Sequence, residues 1–155
     1  MFRKFRLEDS ANITALLNNV EVSRWTTHIP YPYTEKDAIL WLEKQENTHR
    51  KPLAIELDHK LVGCISYWSL NPFTTEIGYW IGKPFWGKGI ATAALTNLLS
   101  SPMFPKTTKV VAKVAARNIG SRRVLEKCGF EVREQYQVEK SGQIIDTLFY
   151  IMSNV

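Results

Sequence analysis

The sequence predicts one mixed α/β domain, and three observations support this prediction. Segments that alternate apolar and polar residues, as strands do, are interspersed with segments whose apolar residues recur about every three or four positions, as in helices. A glycine-rich turn separates a strand-like segment from a helix-like one, which indicates a strand–helix–strand unit with hairpins on both sides. The length of 155 residues suits a single hydrophobic core, so we expect one domain over residues 1–155.

Seven segments have the alternating or continuously apolar pattern of strands. Short polar turns separate the second segment from the third and the sixth from the seventh, and both pairs are therefore expected to form hairpins. The expected strands are residues 2–7, 53–57, 61–69, 75–81, 108–114, 130–138 and 143–152.

Four segments have the apolar spacing of amphipathic helices. The first can be capped by Asp9 or Ser10 and carries Val20 at the end of its apolar face, and the second begins with a pattern that resembles a capping box at residues 34–37. The last is expected to end at Gly129, where left-handed backbone favours glycine. The expected helices are residues 10–20, 34–47, 90–99 and 118–128.

The composition is that of an ordinary globular chain, with 45% hydrophobic, 12% aromatic and 23% charged residues. The first residues alternate apolar and basic side chains, so we expect no signal peptide, and no segment approaches membrane-spanning length. Cys64 and Cys128 lie inside apolar patterns, which favours buried free thiols over a disulfide or a metal site. We therefore expect a cytoplasmic protein without a membrane partner. Whether it is a monomer or a homodimer stays open.

The net charge of +5 favours an anionic partner, which could be a nucleotide-like cofactor, an acidic peptide or RNA. The basic residues are spread along the chain, with no run of five like charges, so a dedicated nucleic-acid module is the less favoured alternative. His28, His49 and His59 lack the spacing of metal ligands, and we expect no metal.

The segment Trp86-Gly87-Lys88-Gly89-Ile90-Ala91 lies at a strand-to-helix turn. Two glycines around a lysine allow the backbone to approach an anion closely, with the first amides of the helix directed outward. This pattern predicts a pyrophosphate-binding turn. Taken alone it is weak evidence, because many glycine turns are only tight connections.

Four segments in fixed order are more specific than the turn alone. They are residues 29–34, 76–81, 86–91 and 118–130. On these segments the chain resembles the GNAT superfamily of N-acetyltransferases, most closely its ribosomal-protein N-terminal acetyltransferase-like branch, although Trp86 stands where the superfamily signature usually has Gln or Arg. The resemblance implies a mostly antiparallel central sheet of six or seven strands, splayed between strands 4 and 5 and flanked by about four helices.

The resemblance also implies that acetyl-CoA binds at the glycine turn as co-substrate. The amides of residues 87–92 would bind the pyrophosphate at the positive end of the helix dipole, and Asn118 would hold the pantetheine arm. Backbone groups of residues 79–81 would pair with pantetheine, and one N–H would polarise the thioester carbonyl. The cofactor-binding residues so implied are Tyr79, Trp80, Ile81, Trp86, Gly87, Lys88, Gly89, Ile90, Ala91, Thr92 and Asn118. Arg117, Arg122 or Arg123 could meet the 3′-phosphate or the substrate, or could form a solvated helix face.

Acetyl transfer to an amine needs a route for the amine proton and a proton for the departing thiolate. Glu76 is the candidate base, because partial burial could raise its basicity; the alternatives are a solvent-facing residue or one that only binds the ammonium. In many relatives a tyrosine acts as the general acid at the position where this chain has Leu125. Leucine cannot donate a proton, which leaves Ser121 as the candidate acid. Otherwise Ser121 only bonds the helix cap, and the thiolate leaves unaided or takes a proton from water.

The expected function is direct acetyl transfer to a primary amine within a ternary complex. An α-amine, with a pKa of about 7.7–8.0, is neutralised more easily than a lysine near 10.4, which favours a protein N-terminus or an amino-acid-like amine. Tyr31 and Tyr33, in a loop stiffened by prolines, are the expected substrate contacts. The alternatives are a small-molecule acceptor such as a polyamine, amino sugar or antibiotic, a catalytically weak CoA-binding sensor, or a ribosome- or RNA-binding protein.

Overall fold

One seven-stranded sheet forms the centre of the computed structural model, which describes residues 1–26, 28–45 and 48–153. The strand order is β1-β2-β3-β4-β5-β7-β6. Every neighbouring pair is antiparallel except β4 and β5, which are parallel, so the predicted mixed α/β class and mostly antiparallel sheet are confirmed. The strands are β1 Phe2–Arg3, β2 Lys51–Leu57, β3 Lys60–Asn71, β4 Thr74–Ile81, β5 Lys109–Ala115, β6 Glu131–Lys140 and β7 Gln143–Ser153.

The part of the chain that the structure describes contains five α-helices and two short 3-10 helices, at Leu7–Asp9 and Lys83–Phe85. None of the helices in these residues has the length and apolar character needed to cross a membrane. The α-helices are α1 Ser10–Leu17, α2 Val20–Ser23, α3 Glu35–Glu43, α4 Ile90–Leu99 and α5 Ile119–Lys127.

The prediction of one helix over residues 10–20 is wrong, because two asparagines divide it. Asn18 leaves the helical conformation, with ψ at 61°, and its Oδ1 accepts a hydrogen bond from the backbone of Tyr33. Asn19 then caps α2 by accepting from the Glu21 amide at 2.8 Å. Asparagine side chains bond local backbone in this way and compete with continued helix. Val20 consequently starts a new helix and is 48% exposed instead of lying on the buried face.

The predicted helix starts had different outcomes. The capping box of α3 is confirmed, since Thr34 Oγ1 accepts from the Asp37 amide and Asp37 accepts from the Thr34 amide. Asp9 occupies the N-cap position of α1, as predicted, but its side chain does not bond the helix, because its buried carboxylate pairs with Arg3 at 2.9 Å and accepts from the Arg6 amide. Residues 7–9 form a 3-10 helix, which also shortens the first strand, and the predicted end of the second helix near Asn47 lies outside the described residues.

The predicted splay between strands 4 and 5 is confirmed. The two strands pair only over a short register, from Thr74 opposite Lys109 to Ile77 opposite Ala112. Beyond it, β4 continues to Ile81 while bonded to β3, and β5 continues to Ala115 while bonded to β7. The sheet therefore contains a gap between the ends of its two central strands.

The two faces of the sheet bury separate hydrophobic clusters. One cluster includes Ile77 and Ile81 of β4 with Leu95 and Leu98 of α4 and Leu125 of α5. The other packs α1 and α3 against the opposite face, and it takes in the partly buried Trp80. Because side chains alternate along a strand, residues 77, 79 and 81 face α4 and α5, whereas residues 76, 78 and 80 face the other side. Both faces meet at the gap.

Candidate active site

A cleft of about 580 Å³ opens at the gap between β4 and β5. The end of β4, the glycine turn and the starts of α4 and α5 form its walls, and Ser121 is part of the lining. The sequence-derived set of cofactor-binding residues lines this cleft except for Lys88, whose ammonium lies 5.8 Å from the centre of the Phe85 ring. The fold thus brings residues 79–81, 86–92 and 118 to one place.

The glycine turn has the backbone conformation that the sequence pattern requires. Gly87 and Gly89 have φ values of 74° and 73°, in the left-handed region that favours glycine, and Gly89 caps the start of α4. A Cβ added at either position would meet no protein atom within 4 Å. The space in front of the turn is therefore open to a ligand. An open turn at the positive end of a ten-residue helix fits the diphosphate of a coenzyme.

Trp86 links the glycine turn to the end of β4. Its indole Nε1 donates a hydrogen bond of 2.7 Å to the carbonyl oxygen of Ile81. This bond engages the Ile81 carbonyl, so the backbone groups of Tyr79 and Trp80 are more available to a ligand at this edge. The tryptophan at the position of the usual Gln or Arg thus has a structural function within this chain.

The start of α5 brings three predicted site residues into contact. Asn118 Oδ1 accepts a hydrogen bond of 3.3 Å from the Ser121 amide and caps the helix, which leaves its amide NH₂ as the group for a ligand. The Ser121 Oγ lies 2.7 Å from the Tyr79 Oη, and burial raises the pKa of that phenol. From the sequence, Tyr79 was expected to contribute only its backbone. Its alternating position along β4, on the side of α5, is the signal that could have identified the side chain.

Glu76 lies on the opposite face of the sheet from Tyr79. It is 8% exposed, and the Lys113 Nζ is 3.8 Å from its Oε1. Burial raises the pKa of Glu76 above its usual value, and the charges of Lys113 and Arg50 oppose part of this increase. Glu76 is not among the residues that line the cleft, but Lys113 is, and so Lys113 connects the carboxylate to the gap. Lys113 was not among the predicted site residues, because its proximity to Glu76 depends on the parallel pairing of β4 with β5.

The three arginines near α5 have different surroundings. Arg122 donates to the hydroxyl of Tyr150 at 3.2 Å and to the carbonyl of Ala116 at 3.1 Å, and so it secures the helix to β7. Arg117 and Arg123 are exposed and line the cleft. These two, and not Arg122, have guanidinium groups that a ligand in the cleft could reach.

The proline-rich loop places its two tyrosines differently. Tyr31 is 52% exposed and lines a second, smaller cavity together with His28 and Lys140. Tyr33 is 5% exposed and packs in the cluster of α1 and α3, where burial raises its pKa to about 12. In this structure Tyr33 is a core residue, and Tyr31 is the loop tyrosine that a substrate can reach.

The two cysteines form no disulfide with each other, and the described residues show no metal site. Cys64 is buried, as predicted, whereas Cys128 is half-buried, and both are free thiols. Within residues 1–26, 28–45 and 48–153, no group of three His, Cys, Asp or Glu side chains is positioned to hold a metal ion.

Comparison with known proteins identifies the family. A family model described as Acetyltransferase (GNAT) domain matches residues 1–131. The curated "Putative ribosomal N-acetyltransferase YdaF" of Bacillus subtilis (strain 168) is 29% identical over 155 residues, which cover 92% of this chain and 85% of that protein. "Probable N-acetyltransferase YjcK" of the same organism is 37% identical over 93 residues, 57% of this chain. The match spans about half the length of that relative, 51%.

The solved structures whose fold is similar to that of this chain include RimL, a ribosomal alpha-N-protein acetyltransferase in complex with coenzyme A. RimL superposes with a TM-score of 0.86 at 18% identity, over 98% of this chain and 92% of its own, which shows a shared fold. The chain belongs to the GNAT family of acetyltransferases and is similar to its ribosomal-protein N-acetyltransferase-like branch.

Proposed function

We propose that this enzyme transfers an acetyl group directly from acetyl-CoA to the α-amine of a protein N-terminus or to an amino-acid-like amine. One observation carries the proposal: the gap between β4 and β5 has Glu76 and Lys113 on one face and Tyr79 with Ser121 on the other. An acceptor and a thioester that enter from opposite faces meet at this gap.

The residues around the cleft would hold the coenzyme by its successive parts. The amides of residues 87–92 bind the diphosphate, and Arg117 or Arg123 binds the 3′-phosphate. The Asn118 amide and the backbone of Tyr79 and Trp80 bind the pantetheine arm, and one of these N–H groups stabilises negative charge on the carbonyl oxygen. Acetyl-CoA supplies an acyl group activated as a thioester.

Glu76 acts as the base in this proposal. Burial raises the pKa of its carboxyl, and a carboxylate with a raised pKa accepts a proton more readily. The Lys113 ammonium beside it occupies the kind of position that an incoming acceptor ammonium needs. Glu76 takes the acceptor's proton directly or through one water molecule, which leaves the amine neutral for attack.

Ser121 delivers the proton to the departing thiolate. A hydroxyl can donate one hydrogen bond while it accepts another. When the Tyr79 hydroxyl donates to Ser121 Oγ, the serine hydrogen is free to point into the cleft. Tyr79 is thus the residue that positions Ser121, and it can return a proton to it after transfer.

The acceptor class rests on two supports. An α-amine loses its proton more easily than a lysine side chain does, and similar proteins are named as ribosomal-protein acetyltransferases. The free thiols at Cys64 and Cys128 agree with the cytoplasm as the proposed location, where such acceptors are made.

The experiment measures CoA release by the purified protein with two panels of acceptors. One panel holds peptides with free N-termini, and the other holds polyamines, amino sugars and aminoglycosides. We expect turnover on peptides and its loss in Glu76→Gln. Activity confined to the small amines contradicts the N-terminal proposal, and tight acetyl-CoA binding without CoA release on any amine supports a sensor instead.

A further inference from the structure

The face of the sheet around Glu76 carries more positive charge than one carboxylate balances. Trp68 pairs with Glu76 across β3 and β4, and its ring lies 3.3 Å from where a Cβ on Gly78 would be. The Arg50 guanidinium carbon lies 4.1 Å from the centre of this ring. Arg50 is therefore stacked over the sheet, next to the candidate base and beside a glycine that lines the cleft.

Lys113 supplies the second cation of this face. Its side chain is 52% exposed, lines the cleft and approaches Glu76 at 3.8 Å. Among the described residues, no carboxylate lies within 4 Å of the Arg50 guanidinium, and Glu76 is the one carboxylate within that distance of Lys113. The charges of both Arg50 and Lys113 act on Glu76, so the two cations share one buried anion.

Further titratable groups border the same region. His28 has its pKa lowered by burial and by the charges of Arg50, Lys113 and Lys140. The Lys140 ammonium donates to the carbonyls of Ser23 and Thr26 and is fixed there, while Glu139 lines the small cavity beside His28. Burial raises the pKa of Tyr136, and the charges of Glu76 and of Glu134, on its own strand, raise it further. The cations whose charges act on the base are thus Arg50 and Lys113.

We propose that the acceptor carries a carboxylate within one residue of its reactive amine, and that Arg50 and Lys113 bind this carboxylate while Glu76 binds the amine. This inference rests on the proposed function. An acceptor ammonium that replaces Lys113 at Glu76 would leave three cations around the one carboxylate that contacts them directly, and an anion on the acceptor improves the balance. The stacked guanidinium is already oriented, and its planar fork matches a carboxylate.

The carboxylate could come from an acidic side chain at the second position of a peptide or from the free α-carboxylate of an amino acid. The experiment therefore compares kcat/KM for three peptides that differ only in Asp, Asn or Lys at the second position. It also compares free amino acids with their amides. We expect kcat/KM to be about tenfold higher for Asp than for Asn, or for the free acid than for the amide. The reason is that hydrogen bonds to a charged carboxylate are stronger than hydrogen bonds to a neutral amide.

Variants then assign the preference to the two cations. Arg50→Gln and Lys113→Gln should each reduce the ratio of acidic to neutral acceptor severalfold. Lys109→Gln, which removes the same charge from the exposed start of β5, should keep it. Equal kcat/KM for Asp and Asn peptides, with equal values for free acids and amides, overturns this inference and leaves acetyl transfer intact. Absence of turnover on every amine contradicts the proposed function as well. A ratio that Arg50→Gln and Lys113→Gln leave unchanged contradicts the assignment of the carboxylate site to these two residues.

Discussion

The Tyr79 Oη lies 2.7 Å from the Ser121 Oγ, so a strand residue and a helix residue share one hydrogen bond in the wall of the cleft. The pair occupies the side of α5 on which Leu125 is buried one turn later. Two hydroxyls in series can therefore supply the proton that a leucine cannot.

Loss of either hydroxyl should slow the chemical step. We expect Ser121→Ala to reduce kcat on the order of tenfold. This loss is smaller than the rate factor that a general acid usually contributes, because water can replace the serine as proton donor. Tyr79→Phe should reduce kcat by less, and the double variant should resemble Ser121→Ala alone, since the tyrosine acts through the serine. Steady-state kinetics at saturating acetyl-CoA measure this. Tyr67→Phe, which alters an exposed phenol elsewhere, serves as the control, and independent, additive effects of the two changes would contradict a shared path.

Gly89→Ala should weaken coenzyme binding and destabilise the fold together. Its φ of 73° forces an alanine into left-handed backbone, at a cost of about 1–2 kcal/mol, and places a methyl group in front of the diphosphate amides. Gly142 is a matched control, because it has a φ of 77° and equally open space but lies in the β6–β7 turn. Gly142→Ala should lower the melting temperature similarly and leave the Kd for CoA unchanged. An unchanged Kd in Gly89→Ala would place the diphosphate elsewhere.

Trp86→Phe should raise the Kd for acetyl-CoA about fivefold. The change keeps an aromatic ring but removes the 2.7 Å hydrogen bond to the Ile81 carbonyl, and such a bond contributes about 1 kcal/mol. The glycine turn is then less firmly held to β4. Titration calorimetry measures the effect, with Trp41→Phe in the α1–α3 cluster as the comparison. Identical Kd values for the two variants would show that the indole bond does not organise the site.

Glu76→Gln should remove activity and yet stabilise the protein at neutral pH. The folded state raises the pKa of this carboxyl. Between the pKa of the unfolded chain and the higher pKa of the folded chain, the native chain therefore binds more protons than the unfolded chain. Stability contributed by the protonated form is therefore lost as pH increases past the folded pKa, and a neutral glutamine does not lose it. Thermal melts of both proteins across pH 4–8 measure this, and a lower melting temperature for Glu76→Gln at every pH would contradict it.

The pH dependence of the reaction should respond to Lys113. The Lys113 charge opposes the effect of burial on the Glu76 pKa, so Lys113→Gln should move the acid limb of kcat/KM to higher pH. Lys109→Gln, on the same strand, should leave the limb in place. The pH profiles of kcat/KM are measured with a peptide whose second residue is neutral, so that the charge of the acceptor does not contribute. A shift of the acid limb to lower pH in Lys113→Gln would exclude Glu76 as the group that titrates there.

The sequence was sufficient for features that local physics determines. Strand alternation located the strands, and the positive φ at Gly129 follows from a glycine placed just past a helix end. The break at Asn18 escaped prediction because it depends on a hydrogen bond from Tyr33, fifteen positions away. The contacts of Tyr79 with Ser121 and of Lys113 with Glu76 likewise depend on strand register and helix docking, which one sequence does not encode locally.

The gap between β4 and β5 opens toward both faces of the sheet, and this has a consequence for the size of the acceptor. With the coenzyme on the side of α4 and α5, as we propose, a bulky folded protein could stay outside on the other side and extend only its terminal amine to the thioester. Donor and acceptor then have separate entrances, and neither has to depart before the other arrives.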